Sequence, residues 1–142
     1  MSTIERAAAL AAEAHHGQKY GEQDYIVHPA DVADRVQANG PHAVMAAWLH
    51  DVVEDTDLTL DDLRAEGFPA DVVDAVDAVT RRPGETYMQF VRRAARHPLG
   101  RIIKLADNAS NTAKLDSIPD TDRREGLRRR YERARTILFT GA

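Results

Sequence analysis

A chain of 142 residues with no cysteine fits one compact domain and excludes a disulfide framework, a cysteine-rich zinc site and a thiol nucleophile. Its 23 acidic and 19 basic residues leave a net charge of −4, which argues against nucleic-acid binding but allows a small anionic ligand held by local cations and a metal. The Ala-rich run from Ile4 to Ala14 carries Glu5, Arg6 and Glu13, so it reads as neither signal peptide nor membrane span, and the expectation is a soluble cytoplasmic protein with no membrane partner.

Apolar spacing is helical nearly throughout, without internal repeat or linker. Ser2 or Thr3 caps a first helix that buries Ile4, Ala7, Ala8, Leu10 and Ala11 and ends at Gly17. Lys19 to Val27 reads as a polar loop. Pro29 suits the first position of a second helix, striped by Val32, Ala33 and Val36 and stopped at Asn39-Gly40. Pro41 opens a third, whose Val44, Met45, Ala47, Trp48, Leu49 and Val52 look buried. A short fourth starts at Thr59 and breaks at Gly67-Phe68-Pro69; Asp71 to Val79, Thr86 to Ala95, Pro98 to Asn111 and Asp120 to Phe139 complete the series. No segment alternates with period two over a useful length. The predicted fold is all-α, a compact single-domain bundle of about eight helices across residues 1–142.

Four potential ligands stand where such a fold can bring them together. His28 precedes Pro29, which is expected to push it out of helical geometry to a helix mouth. His50 and Asp51 are neighbours near the end of a helix that otherwise reads as core, and Asp107 interrupts the apolar run Ile102, Ile103, Leu105, Ala106 and Ala109. A carboxylate in such a run needs a partner, and a metal is one. Two imidazoles and two carboxylates suit Mn, Fe, Zn, Ni or Co. Taken singly, each residue has a plainer reading: a helix-end histidine is usually a cap, and Asp107 can pair with Lys104 three residues earlier. Their ordered combination is the signal, strengthened by Glu54 and Asp55, which follow Asp51 by three and four residues. If the helix continues, these acids stack beside the ligands, a costly arrangement unless a cation or a reaction justifies it.

The string from His50 to Leu63, HDVVEDTDLTLDDL, resembles the hydrolase domain of the Rel/SpoT enzymes that degrade the alarmone (p)ppGpp, and the chain length resembles the free-standing small alarmone hydrolases. The resemblance includes AHHGQ from Ala14, YIVHP from Tyr25 and IKLADNASN from Ile103. It implies an HD-domain fold and one divalent metal, usually Mn²⁺, held by His28, His50, Asp51 and Asp107. Glu54 and Asp55 match the acidic pair that activates or orients the attacking water, and Asn111 matches an asparagine that contacts the nucleotide sugar. Lys19 lies near the basic residues that meet base and phosphates, and Tyr131 is a further nucleotide contact. The implied activity is hydrolysis of the 3′-diphosphate of (p)ppGpp to GDP or GTP and pyrophosphate. The chain departs from the family pattern at Lys19-Tyr20 and Asp24, where an arginine and a proline are usual, and at Asn108-Ala109-Ser110.

Other readings remain open. One is an HD-type hydrolase of another nucleotide or phosphorylated cofactor, to be discriminated by Lys19, Tyr20 and Asp24; another is a nucleotide-binding regulatory module without turnover. Arg81 and Arg82 either neutralise phosphate or form a solvated turn. The last helix, with seven arginines between Arg123 and Arg135, reads as a charged outer face over a stripe of Leu127, Tyr131, Ala134, Ile137 and Leu138 rather than as a nucleic-acid surface, and a protein-interaction surface there is a third possibility. His15, His16, His42 and His97 read as surface or locally hydrogen-bonded residues. Homo-oligomerisation is compatible with the sequence but not specified by it.

Overall fold

In the computed structural model, residues 3–141 are described. Helix α1 (Ile4–Ala14) starts where expected: Thr3 is the cap, its side chain accepting from the Arg6 N–H at 3.0 Å, while Ser2 lies outside the described residues. Past Gly17 the predicted loop contains a hairpin, β1 (Lys19–Tyr20) paired antiparallel with β2 (Gln23–Asp24). Two residues per strand are too few to show an alternating pattern. Gly21 opens the two-residue turn at φ 62°, the positive value a hairpin of the II′ kind needs there.

Helix α2 (Val27–Arg35) begins two residues earlier than predicted, so Pro29 is its third residue and His28 lies within its first turn rather than outside it. The first four N–H groups of a helix have no internal partner, so proline costs no hydrogen bond there. The burial of His28 overrides the local bias against helical geometry before proline. A 3₁₀ turn, Gln37–Asn39, leads to Gly40 at φ 98° and to α3 (Pro41–Leu49), with Pro41 in its first turn. The chain turns at His50-Asp51 and resumes as the single turn α4 (Val52–Asp55), an element not predicted as separate. Next come α5 (Leu60–Ala65) and α6 (Ala70–Ala78), followed by α7 (Tyr87–Ala95). Reciprocal capping boxes start two of these, Thr59 with Asp62 and Thr86 with Gln89. Helix α8 (Pro98–Ala113), a 3₁₀ turn at Leu115–Ser117 and α9 (Thr121–Thr140), capped by Asp120, finish the fold.

The all-α prediction thus holds, the hairpin being the only paired strands among the described residues. No helix among them is long and apolar enough to cross a membrane.

Helix α3 organises the rest. Ala43, Val44, Met45, Ala46, Ala47 and Leu49 are all buried, and a helix with no polar face has to be enclosed. It packs against α1, α2, α6 and α8. A smaller cluster, Val91 with Ala134, Ile137 and Leu138, seats α9 on α7. His28, His50, Asp51 and Asp107 lie where α2, α8 and the end of α3 meet.

Helix α8 crosses α6 so closely at Gly100 that an added Cβ would stand 2.9 Å from the Cβ of Ala78 and 3.2 Å from that of His97. Alanine would ordinarily stabilise a helix position by about 1 kcal/mol relative to glycine. Overpacking costs about 1–3 kcal/mol and wins here. Gly100→Ala is therefore expected to lower stability by about 1 kcal/mol in urea unfolding; equal or greater stability would show that the crossing has slack.

Candidate metal centre and active-site cleft

Two imidazoles and two carboxylates converge as the sequence predicts. His28 Nε2 lies 2.8 Å from Asp107 Oδ1 and 3.7 Å from Asp51 Oδ2. His50 Nε2 lies 3.0 Å from Asp51 Oδ2 and 3.5 Å from Asp107 Oδ1. The ligand atoms of His28, His50 and Asp107 all fall within 4.8 Å of one another. His28 and His50 are 1% and 2% exposed, and the buried Nε2 of His50 has no well-directed hydrogen bond despite its two carboxylate neighbours. A buried nitrogen aimed between two carboxylates without an aligned partner is the arrangement that a divalent cation satisfies, so the residues fit a metal.

The far sides of the rings are fixed by the fold. His50 Nδ1 donates to the carbonyl of Ala47 at 2.7 Å, which leaves Nε2 as the nitrogen facing the carboxylates. His28 Nδ1 meets Ser110 Oγ at 3.1 Å. Asp107 pairs with Lys104 as well: its Oδ2 accepts from Nζ at 2.8 Å while Oδ1 faces the histidines. Tyr25 donates to Asp51 Oδ2 at 2.6 Å and Asp55 Oδ2 at 3.2 Å, and Tyr20 stacks on the His28 ring at 5.1 Å. The Lys104–Asp107 pair is the one the sequence offers as the plainer reading of Asp107; the supports from Tyr25, Tyr20, Ser110 and Ala47 are not read from the sequence, although Tyr25 stands three residues before His28.

Electrostatics follow from this crowding. Burial alone would depress the His50 imidazole, but the carboxylate charges of Asp51 and Asp107 outweigh it and raise its pKa well above the usual range. Burial opposes ionisation of Asp107, yet Lys104 and the two histidines hold it well below the carboxylate range; Asp51 is lowered against burial by His50. Glu54 and Asp55 shift the other way. Both reach solvent at the mouth of the cleft, but partial desolvation and the nearby Asp51 charge push them up. The backbone N–H of Arg81 opposes the rise at Glu54, donating to Oε1 at 2.7 Å.

These groups open into a cleft of about 240 Å³, also lined by Tyr87, Phe90, Lys104, Arg130 and Tyr131. Of the remaining predicted residues, Asn111 sits at the cleft, accepting from the Tyr20 hydroxyl at 2.6 Å and donating to Asp107 at 3.2 Å. Tyr131 lines it too. Lys19 does not: it pairs with Asp24 across the hairpin at 2.6 Å and borders an adjoining groove of about 1070 Å³, which shares Tyr20, Asn111 and Tyr131 with the cleft. Arg82 turns to Asp77 at 3.4 Å, whereas Arg81 lines the cleft with its guanidinium on the Glu85 carbonyl at 3.0 and 3.2 Å. His15 is buried rather than superficial; it bonds Gln18 at 2.9 Å and its ring lies 4.7 Å from that of Tyr25. His97 caps α8, and His42 pairs with Asp71 at 2.7 Å.

The chain belongs to the HD domain family, whose model matches residues 7–98, and that membership carries divalent-metal binding with it. It is similar to the guanosine-3′,5′-bis(diphosphate) 3′-pyrophosphohydrolase of Haemophilus influenzae, 38% identical over 130 residues covering 81% of this chain and 19% of that protein. The enzyme of that name from Danio rerio, MESH1, is 32% identical over 119 residues, covering 75% of this chain and 66% of that one. A solved structure, described as a metazoan orthologue of SpoT that hydrolyses ppGpp, superposes with a TM-score of 0.82 at 25% identity, covering 99% of this chain and 87% of its own. The chain spans about a fifth of the bacterial relative's length.

The loop that brings the Arg81 N–H to Glu54 is held by Arg93, which bonds Glu85 Oε2 at 2.7 Å and the Thr80 carbonyl at 2.7 Å. The Arg93 hydrogen bond lowers the pKa of Glu85 to about 2. A depressed carboxylate stabilises the fold above its unfolded pKa of about 4.3, and this contribution fades as pH falls toward the folded value. The stability gap between the wild type and Glu85→Gln is thus expected to be widest near neutral pH and to shrink below about pH 4 in denaturant titrations. A gap independent of pH would remove the ionised pair from the account.

Proposed function

We propose that residues 1–142 act as one metal-dependent phosphohydrolase unit that removes the 3′-diphosphate of (p)ppGpp, yielding GDP or GTP and pyrophosphate, with Mn²⁺ as the bound ion and a cytoplasmic setting. The observation that carries this reading is the convergence of two histidine Nε2 atoms and two aspartate oxygens beside a second, outward-facing acidic pair. The names of the relatives supply the substrate. His28, His50, Asp51 and Asp107 would hold the ion. A divalent cation there acidifies water and polarises a phosphoryl oxygen.

The chain's own groups divide the remaining work. Glu54 is anchored through Oε1 by the Arg81 N–H, which leaves Oε2 for the attacking water. Partial burial and the nearby Asp51 charge raise its pKa, which makes it a better proton acceptor than an ordinary surface carboxylate. Asp55, tied to Tyr25, orients the same water. The water oxygen bonds to the phosphorus next to the ribose, the bond from that phosphorus to the 3′ oxygen breaks, and the 3′ oxygen takes up a proton. Asn111, fixed between Tyr20 and Asp107, stands where a ribose edge can meet it, and Tyr131 offers a ring to the nucleoside. Lys19 serves only a group that reaches the wider groove. The partner is thus a small nucleotide, with no nucleic acid or membrane involved.

With Mn²⁺ supplied, pyrophosphate release is expected from ppGpp and pppGpp but not from NADPH or simple mononucleotides; activity confined to mononucleotides would replace the alarmone reading with the broader HD-hydrolase one. Glu54→Gln should retain the metal, measured by calorimetry, and lose about 10²–10⁴-fold in kcat, the range of a general base. Asp107→Asn and His50→Ala should instead lose metal affinity itself, and unchanged affinity in both would dissolve the proposed ligand set.

A further inference from the structure

A substrate that delivers a diphosphate to this cleft needs positive charge beyond the ion, because Glu54, Asp55 and Asp51 already crowd its mouth with carboxylates. Three basic residues line the cleft: Arg81, Lys104 and Arg130. Lys104 is buried and bound to Asp107 at 2.8 Å. Arg81 has its guanidinium on the Glu85 carbonyl.

Arg130 differs from both. Its guanidinium carbon lies 4.9 Å from the centroid of the Tyr87 ring, and among the described residues no carboxylate or carbonyl takes its N–H groups. A guanidinium held over a ring is attracted by the ring face without spending its N–H donors on a hydrogen-bond acceptor, so they remain available to a phosphate. Lys104 Nζ approaches the same ring at 5.6 Å, so Tyr87 joins the cation at the cleft floor to the one at its rim. Neighbouring arginines of α9 are placed otherwise: Arg128 reaches Asp116 and Glu125, Arg124 reaches the Ile118 carbonyl, and Arg129 does not line the cleft.

We propose that Arg130, held over the Tyr87 ring at the rim of the cleft and without an acidic partner among the described residues, binds the outer phosphate of the substrate's diphosphate and so selects diphosphates over monophosphates. This assignment rests on the phosphohydrolase reading above. It singles out one side chain from an arginine-rich helix whose other charges serve solvent or local pairing. Arg130 makes contact with the group that departs as pyrophosphate, so its contribution is to binding and selection.

The test is calorimetric titration of inorganic pyrophosphate into the Mn²⁺-loaded full chain, comparing wild type with Arg130→Gln, Arg130→Lys and Arg129→Gln under identical metal conditions. Arg130→Gln should weaken pyrophosphate about tenfold to hundredfold, as loss of a charge-assisted hydrogen bond does. Arg130→Lys should recover part of that loss, and Arg129→Gln should bind like wild type. The KM for ppGpp should rise in parallel with little change in kcat, and metal affinity and Tm should hold, which a purely structural role on Tyr87 would not produce. Unchanged pyrophosphate binding in Arg130→Gln, or an equal loss in Arg129→Gln, overturns the assignment. If Arg130 governs pyrophosphate binding but the wild type leaves ppGpp intact, the alarmone reading falls and the role of Arg130 stands.

Discussion

The crossing of two imidazole nitrogens with two carboxylates at the junction of α2, the end of α3 and α8 is the constraint around which the rest of the molecule is arranged. Ionised carboxylates are costly to bury, and Asp107 is only 6% exposed. It is tolerated because Lys104, His28 and Asn111 occupy its oxygens. Each partner comes from a turn of helix whose apolar residues belong to the core. Packing therefore sets the distances, and the electrostatics follow from the packing.

A second layer turns this junction into a site with direction. Carbonyl and hydroxyl partners hold the outer nitrogens of the histidines so that both Nε2 atoms face inward. Tyr25 links Asp51, which faces the histidines, to Asp55, which faces solvent, and the buried ring of His15 backs Tyr25. The turn at His50-Asp51 matters here: it separates the inward-facing His50 and Asp51 from Glu54 and Asp55, so one short stretch of chain presents its first residues to the buried junction and its last to solvent. Lys104 of α8 and Arg130 of α9 line the same cleft as these acids, so both signs of charge face it.

Much of this is legible in the sequence because its signals are local. Caps and breakers mark the helix ends, as Thr3, Thr59, Thr86 and Pro41 show, and the uninterrupted apolar stretch of α3 announces the centre of the core. The HDVVEDT string shows His50, Asp51 and the acidic pair together. The hairpin escaped because two residues per strand carry no periodicity. The sequence points His28 to a helix mouth because the residue-before-proline rule is a local bias, and burial against His50 and Asp107 exceeds it.

Composition and spacing by themselves determined the helical class, the order and limits of most helices, and the residue types able to bind a metal. Tertiary structure alone decided which ring nitrogen faces inward, which oxygen of Asp107 goes to Lys104, that Lys19 borders the wider groove, and that Arg130 rather than Arg128 or Arg129 lines the cleft. The reason is one of range. Propensity and capping act within a few residues of chain, whereas the direction of a side chain at a junction depends on helices far apart in sequence that meet only when the core closes.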